Sequence, residues 1–177
     1  MKRQILACIF VGLALMIVFK GSELSALGRW TVSQFLTGGL VVSYYKGKNF
    51  EKFVCRRTER EVVKTYNGRY AAWHVSCKMF SARWDGFLLV PQDAEYEFYL
   101  QSDDGSRLYI DEEQVIDRWN QHDWVHGAHG RKMLKAGRHP IRIEHNNEDG
   151  GAGIRLCWCG GPIPANSVVK TPYITKE

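Results

Sequence analysis

Ser102-Asp103-Asp104-Gly105-Ser106-Arg107 separates two extended runs, and its reading decides the fold. Before it, Glu95-Tyr96-Glu97-Phe98-Tyr99-Leu100 alternates polar and apolar residues, the period of a strand with one buried face. After it, Arg107-Leu108-Tyr109-Ile110 reads as the returning strand. Asp and Gly favour the backbone angles of a tight reversal, so the segment reads as a hairpin turn.

The same grammar extends outward. Leu40 to Tyr45, Phe80 to Val90, Gln114 to Trp119 and His139 to Glu144 are short extended runs bounded by turn residues. Ile154, Leu156 and Trp158 fall on one face of a further strand, with Arg155, Cys157 and Cys159 on the other. Residues 51–70 are highly charged and show no clear period. Many short strands with turn signals specify an all-β fold, a sandwich or a barrel. The domain is expected over 39–170, after a linker at 21–38 that has room for a short helix over 24–36, and before a tail at 171–177.

The N-terminus sets the compartment. Lys2-Arg3 precedes an unbroken apolar run, Ile5 to Phe19, closed by Lys20. A spanning helix needs ~20 apolar residues and a signal-peptide core ~7–15. Segment 1–20 is read as an uncleaved signal anchor, with a cleaved signal as the alternative, since Leu24-Ser25-Ala26 is the best available cleavage site. Either way the basic start stays inside and the domain lies outside the cytoplasm, membrane-anchored or secreted.

Cys55, Cys77, Cys157 and Cys159 lie beyond this run. An even number in an exported chain suggests two disulfides, with Cys157 and Cys159 each reaching back to Cys55 or Cys77. Residues two apart on an extended strand are poorly placed to bond each other. A zinc site is the lesser reading, because the spacing is C-x-C. The net charge of +5 is scattered, and Glu59 and Glu61 interrupt the densest basic cluster, Arg56-Arg57 with Arg60. That argues against a nucleic-acid partner.

Several ordered pieces resemble the PA-fourteen domain family, named for the protective antigen of anthrax toxin and shared with flocculin-type adhesins and bacterial glycosidases. They are Gly39-Leu40 with Tyr44-Tyr45, Gly47 and Asn49-Phe50; Phe80-Ser81-x-Arg83-Trp84-x-Gly86-Phe87-Leu88; Ser102 to Asp111; Val115-Ile116-Asp117-x-Trp119; Ala136-Gly137 with Pro140 to Glu144; and Leu156-x-Trp158. Their order matters more than any one of them, and the resemblance implies an all-β, antiparallel β-sandwich. The segment between Phe53 and Met79, with Cys55 and Cys77, does not match the family.

The resemblance implies a cis peptide between Asp103 and Asp104, with both carboxylates turned toward one calcium ion. Calcium takes ~6–8 hard oxygens, and sugar hydroxyls can complete such a shell. The resemblance implies a second loop at Asn146 to Gly151, with Asn147 as a metal ligand and Asn146 and Asp149 beside the ligand. Trp124, in a loop with His122, His126 and His129, is a candidate platform for a sugar ring. The competing reading of Asp103-Asp104-Gly105 is a purely structural turn.

Catalytic motifs are missing from the sequence: no nucleophile elbow, phosphate loop or H-E-x-x-H is present. The expectation is therefore a non-enzymatic carbohydrate-binding module, calcium-dependent, tethered to the membrane and binding a glycan or glycoconjugate. The alternative is a protein-interaction or structural domain of an envelope complex, with an envelope protein as partner and neither metal nor sugar.

Overall fold

The computed structural model describes residues 38–121, 124 and 126–177. The anchor and the linker helix expected within 1–37 lie outside the described residues, as does His122. The described chain forms β1 (Leu40–Lys46), β2 (Lys52–Glu59), β3 (Val63–Tyr66), β4 (Tyr70–Ala72), β5 (Val75–Ser76), β6 (Phe80–Val90) and β7 (Ala94–Asp103). It continues with β8 (Ser106–Ile110), β9 (Glu113–Asp117), β10 (Ala128–Leu134), β11 (Gly137–Asn147), β12 (Ala152–Gly160), β13 (Ile163–Val168) and β14 (Ile174–Thr175).

These strands build the expected antiparallel sheets. One has seven strands in the order β2-β1-β6-β11-β8-β9, with β14 also paired to β6. The other has five, β10-β7-β12-β13, with β3 also paired to β12. β4 and β5 form a separate two-stranded hairpin. Each large sheet gains a strand by the same device. β1 takes the first half of β6, up to Asp85, and β14 takes Phe87 and Leu88. Gly86 sits at that junction, where a Cβ would lie 2.5 Å from the Thr175 carbonyl oxygen. A glycine inside a strand thus marks a close backbone approach.

Alternation places the core. Tyr96, Phe98, Leu100 and Ser102 of β7 and Ile154, Leu156 and Trp158 of β12 are buried. They face Val42, Tyr44, Trp84, Leu108, Ile110 and Ile143 of the larger sheet. Each fully buried Leu, Ile or Phe here contributes about 1.5–3 kcal/mol. Trp158 stacks against both Tyr96 and Phe98, with ring centroids 5.3 and 6.3 Å away.

One buried carboxylate joins the layers. Glu59 accepts hydrogen bonds from the Tyr44 hydroxyl (3.0 Å), the Trp84 indole (3.0 Å) and Arg57 Nε (2.8 Å). The Tyr44 hydroxyl also meets the Tyr66 hydroxyl of β3 at 3.5 Å, across the sandwich. Burial and the neighbouring Glu59 charge hold the Tyr44 phenol far above its ordinary range.

Three expectations change. Residues 171–177 are not a free tail, because Ile174–Thr175 add to the larger sheet. All four cysteines are free thiols, so the expected disulfides are not formed. The layering explains this. Cys55 pairs with Tyr44 and packs against the core, whereas Cys157 alternates with inward-facing Leu156 and Trp158 on the other sheet. The third change concerns the Asp103–Gly105 segment. β7 and β8 belong to different sheets, so the segment crosses the sandwich and is not a hairpin. Turn chemistry reports that the chain reverses, but not which sheet receives the next strand.

Candidate functional site

The crossing segment is fixed from both sides. The Ser102 hydroxyl donates to the Asp104 carbonyl at 2.7 Å and lies 2.6 Å from the Ser106 hydroxyl. The peptide between Asp103 and Asp104 is cis. Gly105 follows because nothing larger fits: a Cβ there would lie 2.0 Å from the Trp119 carbonyl oxygen and 2.6 Å from Asn146 Nδ2.

β11 brings the second loop directly to this crossing. The Asp104 N–H donates to the Asn146 carbonyl (3.2 Å), and the Asn146 N–H donates to the Gly105 carbonyl (2.9 Å). The Asp104 carboxylate accepts the Glu148 N–H at 2.7 Å, and Asp104 is buried. Neighbouring side chains on β11 diverge, as alternation requires. The Asn146 amide donates to the Trp119 carbonyl at 3.2 Å, whereas Asn147 Nδ2 donates to the Cys77 carbonyl at 2.6 Å. With its nitrogen so held, Asn147 Oδ1 is left as a fully buried acceptor with no protein partner. Such an atom needs an explanation, since an unpaired buried polar group costs about 1–3 kcal/mol.

Beneath the crossing lies His145, also fully buried, with Nδ1 3.1 Å from the Gly105 carbonyl oxygen. Its ring stacks on Tyr66 at 6.0 Å and meets Phe80 edge-on. Burial lowers its pKa to about 4, against the opposing pull of the Gly105 hydrogen bond and the Asp104 charge. The ring is therefore neutral at pH 7, and Nδ1 carries the proton it gives to Gly105.

The remaining candidates take different places. Trp124 is partly exposed, and its ring covers Gly153, where a Cβ would lie 2.8 Å from Cζ3. Gly153 pairs with Asp103, so Trp124 borders the crossing. Asp149 turns outward to Lys78 at 2.6 Å; that hydrogen bond and one from the Gly150 N–H lower its pKa. His129 stands on β10 beside Glu97, 3.2 Å away.

A cation here would have to suit oxygen ligands. Among the described residues no three His, Cys, Asp or Glu side chains gather into a metal cluster. Asp103, Asp104 and the orphaned Asn147 Oδ1 offer only hard oxygens, the donor set that calcium prefers. These residues fit calcium, provided backbone carbonyls, water or a ligand supply the rest of the shell.

Sequence reasoning missed the role of Trp119. Its ring stacks on Phe50 at 5.5 Å, lies under the Arg107 guanidinium at 4.2 Å and gives its indole N–H to Asn49. The x-Asp117-x-Trp119 spacing was visible, but not that the Trp119 carbonyl would meet Asn146.

The PA14 domain family model matches residues 36–168, a range that includes both loops. The chain belongs to the PA14 domain family. Known proteins share its sequence or its fold. The anti-sigma-I factor RsgI3 of Acetivibrio thermocellus is 26% identical over 121 residues, covering 68% of this chain and 19% of that protein. An anti-sigma factor domain-containing protein from Clostridium clariflavum superposes with a TM-score of 0.73 at 29% identity, over 80% of this chain and 48% of the other. The PA14 sugar-binding domain of an RTX adhesin superposes with a TM-score of 0.65 at 14% identity, over 80% of this chain and 99% of that one. The present chain therefore spans about a fifth of the curated relative and about half of the solved anti-sigma factor chain.

Proposed function

We propose that this chain is a non-catalytic carbohydrate-binding domain, tethered to the membrane by its N-terminal apolar run and acting outside the cytoplasm, with a calcium-dependent site at the Asp103–Asp104 crossing. The reading is carried by one observation. β11 brings Asn147, with a buried and unpartnered Oδ1, against the loop whose Asp104 carboxylate accepts the Glu148 N–H. Calcium would supply a positive centre that sugar hydroxyls can complete as ligands. The chain's own residues fix the donors: Cys77 holds the Asn147 amide, Glu148 holds Asp104, and His145 holds the Gly105 carbonyl. The fold shared with the RTX adhesin's sugar-binding domain supports the ligand class. Similarity to anti-sigma factors supports a setting in which such a domain senses a glycan for a larger regulatory protein.

Calorimetric titration with calcium, followed by a glycan array with and without chelator, tests the reading. Calcium should release or absorb heat at a single site, chelator should abolish the array signal, and Asp104→Ala should lose both. Wild-type protein that shows no calcium response and captures an envelope protein without glycan would replace it with the interaction-domain reading.

A further inference from the structure

The segment between Phe53 and Met79 borders this site. β4 and β5 form a hairpin whose inward side chains, Ala71, Ala72, Val75 and Cys77, are buried in the core. Its outward side chains are aromatic and exposed: Trp73 at 75% and Tyr70 at 58%. Trp73 leans on His74, with ring centroids 4.3 Å apart, at a turn where His74 has φ 57°. Six large hydrophobic side chains are exposed among the described residues. Three of them, Tyr70, Trp73 and Met79, lie on this one segment, and a fourth, Trp124, borders Asp103 through Gly153. Exposed apolar side chains scattered singly need no explanation, but a group of them around a polar loop marks a binding surface.

The hairpin is wired to the site through backbone. The Gly47 N–H donates to the Met79 carbonyl (2.7 Å), the Met79 N–H to the Glu148 carbonyl (3.0 Å), and the Glu148 N–H to the Asp104 carboxylate (2.7 Å). The Cys77 carbonyl orients Asn147, and Lys78 pairs with Asp149. Between the hairpin and the Lys46-Gly47 end of β1 runs an open groove of about 560 Å³, with Tyr70 and Met79 as apolar wall and Lys46, His74, Ser76 and Lys78 as polar lining. A ring face beside spaced donors matches a pyranose, which has an apolar C–H face and polar hydroxyl edges. A protein partner would instead favour a contiguous apolar core.

We propose that the β4–β5 hairpin forms a second subsite, with Trp73 and Tyr70 stacking on a further sugar unit of a glycan chain whose first unit sits at Asp104 and Asn147. This rests on the carbohydrate reading above and specifies its ligand as an oligosaccharide or polysaccharide chain.

The test titrates the full chain, in calcium, with manno-, galacto-, xylo- and cello-oligosaccharides of one to six units. For the recognised sugar, affinity should rise by about tenfold at the second or third unit, the scale of one aromatic stack on a ring. Trp73→Ala should erase that rise while leaving the single-unit affinity unchanged, and Trp73→Phe should restore most of it. Asp104→Ala should lose binding at every length. If Trp73→Ala keeps the wild-type length dependence, the subsite is overturned and the Asp104 site stands. If Asp104→Ala binds normally and Trp73→Ala does not bind, the Asp104 site is overturned and the hairpin is the binding surface. A wild-type chain that binds none of the four series overturns both.

Discussion

Replacing Glu59 should destabilise the domain more than any exposed ion pair could. The carboxylate is 6% exposed and accepts from two donors that are themselves fully buried, the Tyr44 hydroxyl and the Trp84 indole N–H. In Glu59→Ala the Trp84 indole loses the acceptor it uses here, and the Tyr44 hydroxyl, which still accepts from Arg57 Nη2 at 2.7 Å, has only the Tyr66 hydroxyl, 3.5 Å away, left to donate to. Each buried donor left unpaired costs about 1–3 kcal/mol. The ion pairs with Arg57 and Lys64 add little, because both cations reach solvent. The sum is about 3–5 kcal/mol, or roughly 10–15 °C in Tm for a domain of this size. Glu59→Gln should cost less, about 2 kcal/mol, since its single carbonyl oxygen can serve Trp84 or Arg57 but not both. Urea denaturation followed by tryptophan fluorescence measures both variants, with unchanged m-values required for comparison. A Glu59→Ala loss below about 1 kcal/mol, within the range of a surface pair, would refute the claim that this carboxylate satisfies buried donors.

Gly105→Ala should cost about 2–3 kcal/mol and remove the calcium heat, because the new Cβ meets the Trp119 carbonyl at 2.0 Å and backbone cannot yield as a side chain can; a wild-type melt and titration would overturn this. Asn147→Ala should abolish calcium binding while lowering apo stability by only about 1–2 kcal/mol, the loss of its bond to the Cys77 carbonyl, as read from parallel titrations and melts. The buried His145 has a folded pKa of about 4, below the ~6.5 of the unfolded chain, so the unfolded state binds more protons between those values. Stability present above pH ~6.5 is therefore lost as pH falls toward 4, by about 1.4 kcal/mol per unit and roughly 3 kcal/mol in all. In chelator, His145→Gln should flatten that slope, and parallel wild-type and variant pH profiles would sink the assignment.

Much of the fold was legible because alternation is a local property. Tyr96, Phe98 and Leu100, or Ile154, Leu156 and Trp158, announce a buried face without knowledge of any partner strand. Partner choice is not local, and there the reading failed. Nothing within Ser102 to Arg107 says that β8 will bind β11 while β7 binds β12. β2 and β3 were obscure for another reason. Most side chains of β2 face solvent, so its sequence carries charge in place of a period. Ile174–Thr175 are too short to show any period and become a strand only by extending the line of β1 along β6. The cysteine pairing failed because an even count says nothing about which side of the sandwich each thiol occupies. For the site, the two loops were legible, but their contact through Asp104, Asn146 and Glu148 required the fold.

That contact also separates the two meanings of the Ser102–Arg107 run. Ser102, Gly105 and Ser106 are explained by the crossing itself: two hydroxyls close the turn, and the missing side chain lets Trp119 approach. Beneath them a continuous path runs from Glu59 to Tyr44, across to Tyr66, onto His145 and up to the Gly105 carbonyl. The path ties both sheets to the crossing, so a domain without any ligand would still need these residues. It does not account for a buried Asn147 oxygen left open beside an acidic loop. Substitutions along the path should therefore lower stability and ligand response together. Asn147→Asp, in contrast, should keep the fold in the presence of calcium and lose stability when calcium is removed, because a carboxylate in that buried position requires a cation. A variant equally stable with and without calcium would mean that the open oxygen has no ionic role.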